Sequence, residues 1–154
     1  MSIEVENRKI RVLFVCVHNS ARSQMAEAFL NHLGGDRFEA ESAGLEPTEI
    51  NPLVIEAMKE IGIDISMNRA DSVFEFFKQG RLYRYVVTVC DEASAERCPL
   101  FASHATYVHW PFENPERFTG SREERLAKVR DLRDRMKKKV EMFVTENSEE
   151  GGDR

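Results

Sequence analysis

Short runs of apolar and β-branched residues alternate along the chain with stretches whose apolar positions recur at steps of three and four. Ile10-Arg-Val-Leu-Phe-Val15 is the first run, and its density of apolar residues predicts a strand buried on both faces. Residues 23–33 follow with Met25, Phe29 and Leu33 along one helical row and Ala26 and Leu30 beside them; Gly34-Gly35 marks the stop. Residues 38–43 predict a second strand. Asn51-Pro52 reads as an N-cap and first helical residue, Val54, Ala57, Met58 and Ile61 carry the apolar spacing, and Gly62 ends it. Asp71 is placed to cap a short helix bearing Val73, Phe76 and Phe77. Residues 85–89 predict a third strand and 105–109 a weaker fourth. Ser121 opens a last helix with Leu126, Val129, Leu132, Met136, Val140 and Phe143 turned inward. The expected domain covers residues 9–145, and the polar, aperiodic ends, 1–8 and 146–154, are expected to fray.

Strands alternating with helices imply right-handed crossovers and a parallel sheet covered on both faces, a single-domain α/β three-layer sandwich. Ligands bind such sheets beyond the carboxyl ends of the strands. The chain has 154 residues, 42% hydrophobic and 32% charged, which suits one globular domain with a real core. No apolar run approaches the ~20 residues of a membrane helix, and the opening MSIEVENRKI lacks the apolar stretch of a signal peptide, so a cytoplasmic location is expected. A net charge of −5 counts against general nucleic-acid binding. Three cysteines exclude a disulfide-stapled scaffold and are too few for a closed four-cysteine zinc site. His32, His104 and His109 show no metal-ligand spacing.

The first strand runs straight into Cys16-Val-His-Asn-Ser-Ala-Arg22-Ser23, after which a helix begins. Backbone N–H groups of Val17, His18, Asn19, Ser20, Ala21, Arg22 and Ser23, ahead of a helix N-terminus, form a concave donor surface for an oxyanion. Arg22 adds a bidentate fork. Cys16, at the lip, is placed to act as a thiolate nucleophile, with Ser23 in reach of its sulfur. Asn19 tolerates the left-handed conformation such a loop needs. His18 either adds positive potential or faces solvent. The plain alternative, a cysteine that merely closes a buried strand, leaves the Asn inside the loop and the Ser after the Arg unexplained.

These residues, and the longer string Asn19-Ser-Ala-Arg-Ser-Gln-Met-Ala-Glu-Ala28, resemble the low-molecular-weight protein tyrosine phosphatase superfamily, and within it the thioredoxin-coupled arsenate reductases. The likeness extends through Glu41-Ser-Ala-Gly44, Gly62-Ile-Asp-Ile-Ser66, the later cysteines and His109-Trp110, over residues 10–143. It implies a four-stranded sheet of order 2-1-3-4 and an oxidoreductase of arsenic detoxification that converts arsenate to arsenite. Phosphate or sulfate would mimic the substrate, thioredoxin would be the reductant, no cofactor would be tightly bound, and a monomer is the simplest expectation. Strands one and three would be neighbours ~4.8 Å apart, which brings Cys16 and Cys90 to one edge. The resemblance gives Cys16 the role of nucleophile, Cys90 that of resolving thiol and Cys98 that of exit thiol; residues 91–97, polar and rich in helix formers, are expected to form a short mobile helix. Taken singly, Cys90 reads as core and Cys98 as an incidental surface thiol; taken together, all three stand where a relay needs them. The Cys90–Cys98 spacing is one residue longer than in some members.

The runner-up is a phosphatase working through a phosphocysteine on Cys16. Phosphatases of this superfamily use an Asp-Pro pair as acid, and the matching stretch here is His109-Trp-Pro-Phe-Glu-Asn-Pro115. Asn114 stands at the aspartate position, which leaves Glu113 as the candidate acid. A non-catalytic module is a third reading, against which the intact Cys16, Arg22 and Ser23 argue. Asn19, Glu27, Ser42 and Asp71 match positions that surround a monovalent cation in some related reductases; a polar network without an ion is the alternative. Residues 122–139 hold nine Lys/Arg and four Asp/Glu, either a solvated face or a docking surface for an acidic partner such as thioredoxin. Trp110 is expected to pack at the base of its loop.

Overall fold

The computed structural model describes residues 8–90, 98, 99, 101 and 104–152, with side chains to residue 147. Its elements are β1 (Ile10–Cys16), α1 (Arg22–Gly34), β2 (Phe38–Gly44), α2 (Pro52–Glu60), α3 (Val73–Lys78), β3 (Tyr85–Thr88), β4 (Thr106–His109), a 3-10 turn (Pro115–Arg117) and α4 (Arg122–Gly152). The strands form one parallel sheet in the order β2-β1-β3-β4, as expected. β1 lies in the middle, and Cys16 stands opposite Gly44 of β2.

The alternation of β1 divides the interior in two. Val12, Phe14 and Cys16 face a core built with Met25, Phe29 and Leu30 of α1, Met58 of α2 and Leu132 and Met136 of α4. Leu13 and Val15 face a smaller core with Val73 and Phe76 of α3, Tyr83, Val86 and Phe101. Burying each such side chain contributes about 1.5–3 kcal/mol, and the larger core lies where the helices carry their longest apolar rows. Leu126, Val129, Leu132, Met136, Val140 and Phe143 are all buried, as their spacing predicts. Trp110 packs on Phe14 and Phe143, with ring centroids 5.8 and 5.7 Å away. No helix among the described residues is long and apolar enough to cross a membrane.

Several helix-end expectations differ. Leu33, Ile61 and Phe77 continue their apolar rows in sequence, yet sit at helix ends and are exposed. Ser72, not Asp71, caps α3; its Oγ accepts from the Phe74 and Glu75 N–H groups at 3.2 and 3.4 Å. Asp71 stands one residue too early, and its own N–H is used elsewhere, as described below. The last helix continues beyond residue 145 into the polar tail. Asn147 is buried there, accepting from Tyr85 Oη at 2.8 Å and donating to the Phe143 carbonyl at 2.8 Å. Polar contacts, invisible to an apolar period, extend the docking of α4 onto the sheet. Residues 91–97, where a short helix is expected, lie outside the described residues.

Candidate active site

The loop from Cys16 to α1 is shaped by where its carbonyls go. Those of Cys16, Val17, His18 and Ser20 accept from the N–H groups of Leu45, Glu46, Thr48 and Asn51, at 3.1, 2.7, 3.0 and 2.9 Å. The carbonyl of Asn19 accepts from Gln24 Nε2 at 3.1 Å. With each of these oxygens pulled outward, the intervening N–H groups are left for the concave side. Asn19 makes the required reversal with φ of 52°, the left-handed conformation expected of it. The helix begins without a capping side chain at Ala21, so its first-turn donors stay available to an anion.

Cys16 is buried, and its sulfur lies 2.9 Å from Ser23 Oγ and 3.2 Å from the Asn19 N–H. When the sulfur is ionised it can only accept, so the hydroxyl donates to it. Arg22 is buried beside it, donating from Nη1 to the Phe112 carbonyl at 3.0 Å. That bond ties the 109–115 stretch over the loop. His18 points away, with Nδ1 at 2.9 Å from the Glu46 carbonyl.

The candidate acid, Glu113, is engaged by a partner from another element. Glu113 forms an ion pair with Arg135 of α4, including an Oε1–Nη1 contact of 3.1 Å and a closer one between Oε2 and Nη2. Arg135 holds its carboxyl below the usual carboxylate range, against a smaller opposing effect of burial, which favours the charged form of Glu113. Asn114 is occupied too: its Oδ1 accepts from the Glu116 N–H at 3.0 Å and caps the 3-10 turn.

Cys90 is fully buried in the same core cluster as Cys16, just past the end of β3, where the Val89 N–H bonds the Val15 carbonyl at 2.8 Å. Cys98 packs against the smaller core. Its thiol is pushed up to about 12, first by burial and then by the neighbouring Cys90 sulfur. None of the three cysteines is in a disulfide.

The four residues of the expected polar network come together, but not equally. Ser42 donates to Glu27, and Asn19 Nδ2 donates to Ser42 Oγ at 2.9 Å. The Asp71 N–H donates to Asn19 Oδ1 at 2.8 Å, while the Asp71 carboxylate turns to Arg69 at 3.4 Å. A cavity of about 600 Å³ adjoins this cluster, lined by Glu27, Ser42 and Asp71 together with Glu41, Arg69 and Arg81. Burial raises Glu27 to about 7; Glu41 and Asp71 reinforce the rise and the Ser42 hydrogen bond opposes it. Sequence reasoning missed the roles of Gln24 and Asn68: Gln24 is buried against Asn19, and Asn68 donates to Gln24. Their sole sequence signal is the Gln after Arg-Ser.

The charged stretch of α4 is engaged over part of its length. Arg122 pairs with Glu56, Arg130 with Glu60, and Arg133 with Glu60 and the Ala57 carbonyl. These pairs bind α4 to α2, a use that sequence periodicity does not distinguish from a solvated face.

A buried cysteine in a strand-to-helix loop with its carbonyls turned outward, and a second buried thiol in the same core cluster, is the arrangement of a cysteine-dependent enzyme of tetrahedral oxyanions. The model of the low molecular weight phosphotyrosine protein phosphatase family matches residues 11–151, and the chain belongs to that family. An arsenate reductase of Halalkalibacterium halodurans is 41% identical over 139 residues, 90% of this chain and 96% of the relative. Among solved structures, an arsenate reductase in its oxidized state superposes with a TM-score of 0.73 at 30% identity, over 88% of this chain and 97% of the other. A thioredoxin-dependent arsenate reductase of Corynebacterium glutamicum gives 0.63 at 29% identity, over 92% of this chain and 67% of the other.

Proposed function

We propose that this chain reduces arsenate to arsenite through Cys16, Cys90 and Cys98. The observation that carries this reading is the Cys16 sulfur, held by the Ser23 hydroxyl and Asn19 N–H inside the donor loop with Cys90 in the same buried cluster. The arsenate reductases matched over most of the chain support the substrate. Arsenate binds the N–H groups of residues 17–23 and the Arg22 guanidinium, and the Cys16 thiolate attacks arsenic, displacing a protonated oxygen as water. The Cys90 thiolate then attacks the Cys16 sulfur. A Cys16–Cys90 disulfide forms, the electron pair of the breaking S–As bond stays on arsenic, and arsenite leaves two electrons richer. Cys98 attacks Cys90 in turn, freeing Cys16 and leaving a Cys90–Cys98 disulfide for an external dithiol. Thioredoxin is the reductant we propose, in keeping with the thioredoxin-dependent relative. The protein would work as a monomer in the cytoplasm, where thiols are kept reduced.

A monovalent cation beside Glu27 and Ser42 would offset the carboxylates of Glu41 and Asp71 that crowd Glu27, and Asp71 would join it by leaving Arg69. Asn19 would not be a ligand, since both sides of its amide already face Ser42, Ser23, Asp71 and Gln24. That site would act on the loop from behind, not on the reacting atoms.

Cys98→Ser tests the relay. With arsenate and a thioredoxin system it is expected to yield about one arsenite per chain and then stop, with a Cys16–Cys90 linkage found by mass spectrometry. Multiple turnovers at the parent rate would remove Cys98 from the path. The phosphatase alternative lacks a carboxylic acid at Asn114, and Glu113 is held charged by Arg135. Asn114→Asp keeps a capping oxygen and supplies the acid. It is expected to raise aryl-phosphate hydrolysis at least about tenfold, a modest share of what general acids contribute. An unchanged hydrolysis rate would mean that the 109–115 stretch does not lie over the bound ester.

A further inference from the structure

The side chain of Asn19 has every hydrogen-bonding position in use. Nδ2 donates to Ser23 Oγ at 2.7 Å and to Ser42 Oγ at 2.9 Å, and Oδ1 accepts from the Asp71 N–H at 2.8 Å and from Gln24 Nε2 at 3.2 Å. An amide can sit in either of two orientations, and the orientation matters here. As placed, an N–H faces Ser23, so the hydroxyl accepts from Asn19 and its proton is directed to Cys16 Sγ, 2.9 Å away. Turned over, the amide would present its oxygen to Ser23 and draw that proton away from the sulfur.

Gln24 helps fix the orientation. It is buried, and its Nε2 lies within 3.1 Å of the Asn19 carbonyl, 3.2 Å of Asn19 Oδ1 and 3.2 Å of the Arg69 carbonyl. Two of these are backbone oxygens, which can only accept. On the far side Asn68 Nδ2 donates to Gln24 Oε1 at 3.0 Å. Backbone groups of residues 69 and 71 thus set the direction of a chain of bonds that runs from Asn68 through Gln24, Asn19 and Ser23 to the nucleophile.

We infer that Gln24 is a positioning residue for Cys16: held by Asn68 and the Arg69 carbonyl, it locks the Asn19 amide so that Ser23 donates its proton to the Cys16 sulfur. The inference rests on Cys16 as the nucleophile and not on arsenate as its substrate. Gln24→Met keeps the side-chain length and removes the bonds. Asn68→Asp is a gentler probe: Asn68 is exposed, and its replacement sets an acceptor against Gln24 Oε1, favouring the reversed Gln24 amide. The measurement is the rate of Cys16 alkylation by iodoacetamide at pH 5.5 in the full chain with Cys90 and Cys98 replaced by Ser, beside the Kd for inorganic phosphate. Both variants are expected to slow alkylation about fivefold, because a hydrogen bond to a charged acceptor is weakened, while phosphate affinity falls by a smaller factor through the lost bond to the Asn19 carbonyl. In a Ser23→Ala background, Gln24→Met is expected to add no further loss, since the two act through one bond. Alkylation at the parent rate in both variants would overturn the inference. So would full additivity with Ser23→Ala, or a parallel loss of phosphate binding, which would mark Gln24 as a support for the loop's shape alone.

Discussion

Cys16→Ser is expected to abolish arsenite formation, lowering the rate by at least about 10⁴-fold, the scale seen when a covalent nucleophile is removed. A serine oxygen is far less easily ionised than a sulfur, and the oxygen cannot form the disulfide that carries electrons away from arsenic. The substitution changes little else. The carbonyls of the loop would still be bound by Leu45, Glu46, Thr48 and Asn51, and the N–H groups would still face the substrate. Inorganic phosphate is therefore expected to bind within a few-fold of the parent affinity, measured by calorimetry alongside the assay. Residual turnover above about one-thousandth of the parent rate would exclude Cys16 as the attacking atom.

Gly44→Ala is expected to damage the enzyme too, by a different route. A Cβ built on Gly44 would lie 2.7 Å from the Asn19 nitrogen, 2.8 Å from the His18 carbonyl carbon and 2.9 Å from the Val17 oxygen. All three are backbone atoms of the oxyanion loop, so no side chain can swing aside to make room. The loop itself must move, yet its carbonyls are pinned to residues 45–51, which follow Gly44 directly. Overpacking of this kind costs about 1–3 kcal/mol. It would also displace the Asn19 N–H from the Cys16 sulfur. The expected result is a loss of arsenate reduction of at least about 100-fold, weaker phosphate binding and a Tm lower by roughly 3–10 °C, scaled from the same cost. Parent-like activity would mean that the loop can shift without losing its donors. The contrast with Cys16→Ser is informative, since one variant should keep the anion site and the other lose it.

Much of this site is written locally. The Cys16–Ser23 stretch lies between a strand and a helix, and the chemistry of each residue follows from that position; Asn19 takes the left-handed conformation and Ser23 meets the sulfur as its identity suggests. The rows of α4 are equally plain, because one apolar stripe packs on one core. What could not be read were contacts that span long stretches of chain. The Asn68–Gln24 bond joins residues 44 positions apart, and the Arg22–Phe112 bond joins residues 90 apart. Glu113 illustrates the same difficulty: from sequence it is a carboxylic acid near the right place, and only the approach of Arg135 from α4 makes it a fixed carboxylate. The cap of α3 was missed by one residue because Asp71 and Ser72 are both good capping types, and the Asp71 backbone is committed to Asn19 and Gly44.

The half-buried setting of Cys98 has a meaning beyond the order of thiol exchanges. Burial and the neighbouring Cys90 sulfur push its thiol up to about 12, which favours the S–H form over the thiolate. Peroxides and electrophiles attack thiolates, and a sulfur kept as S–H escapes the path to sulfenic and sulfonic acids. Under the proposed relay, the sulfur that meets an outside partner would wait for its turnover in the less oxidisable S–H form.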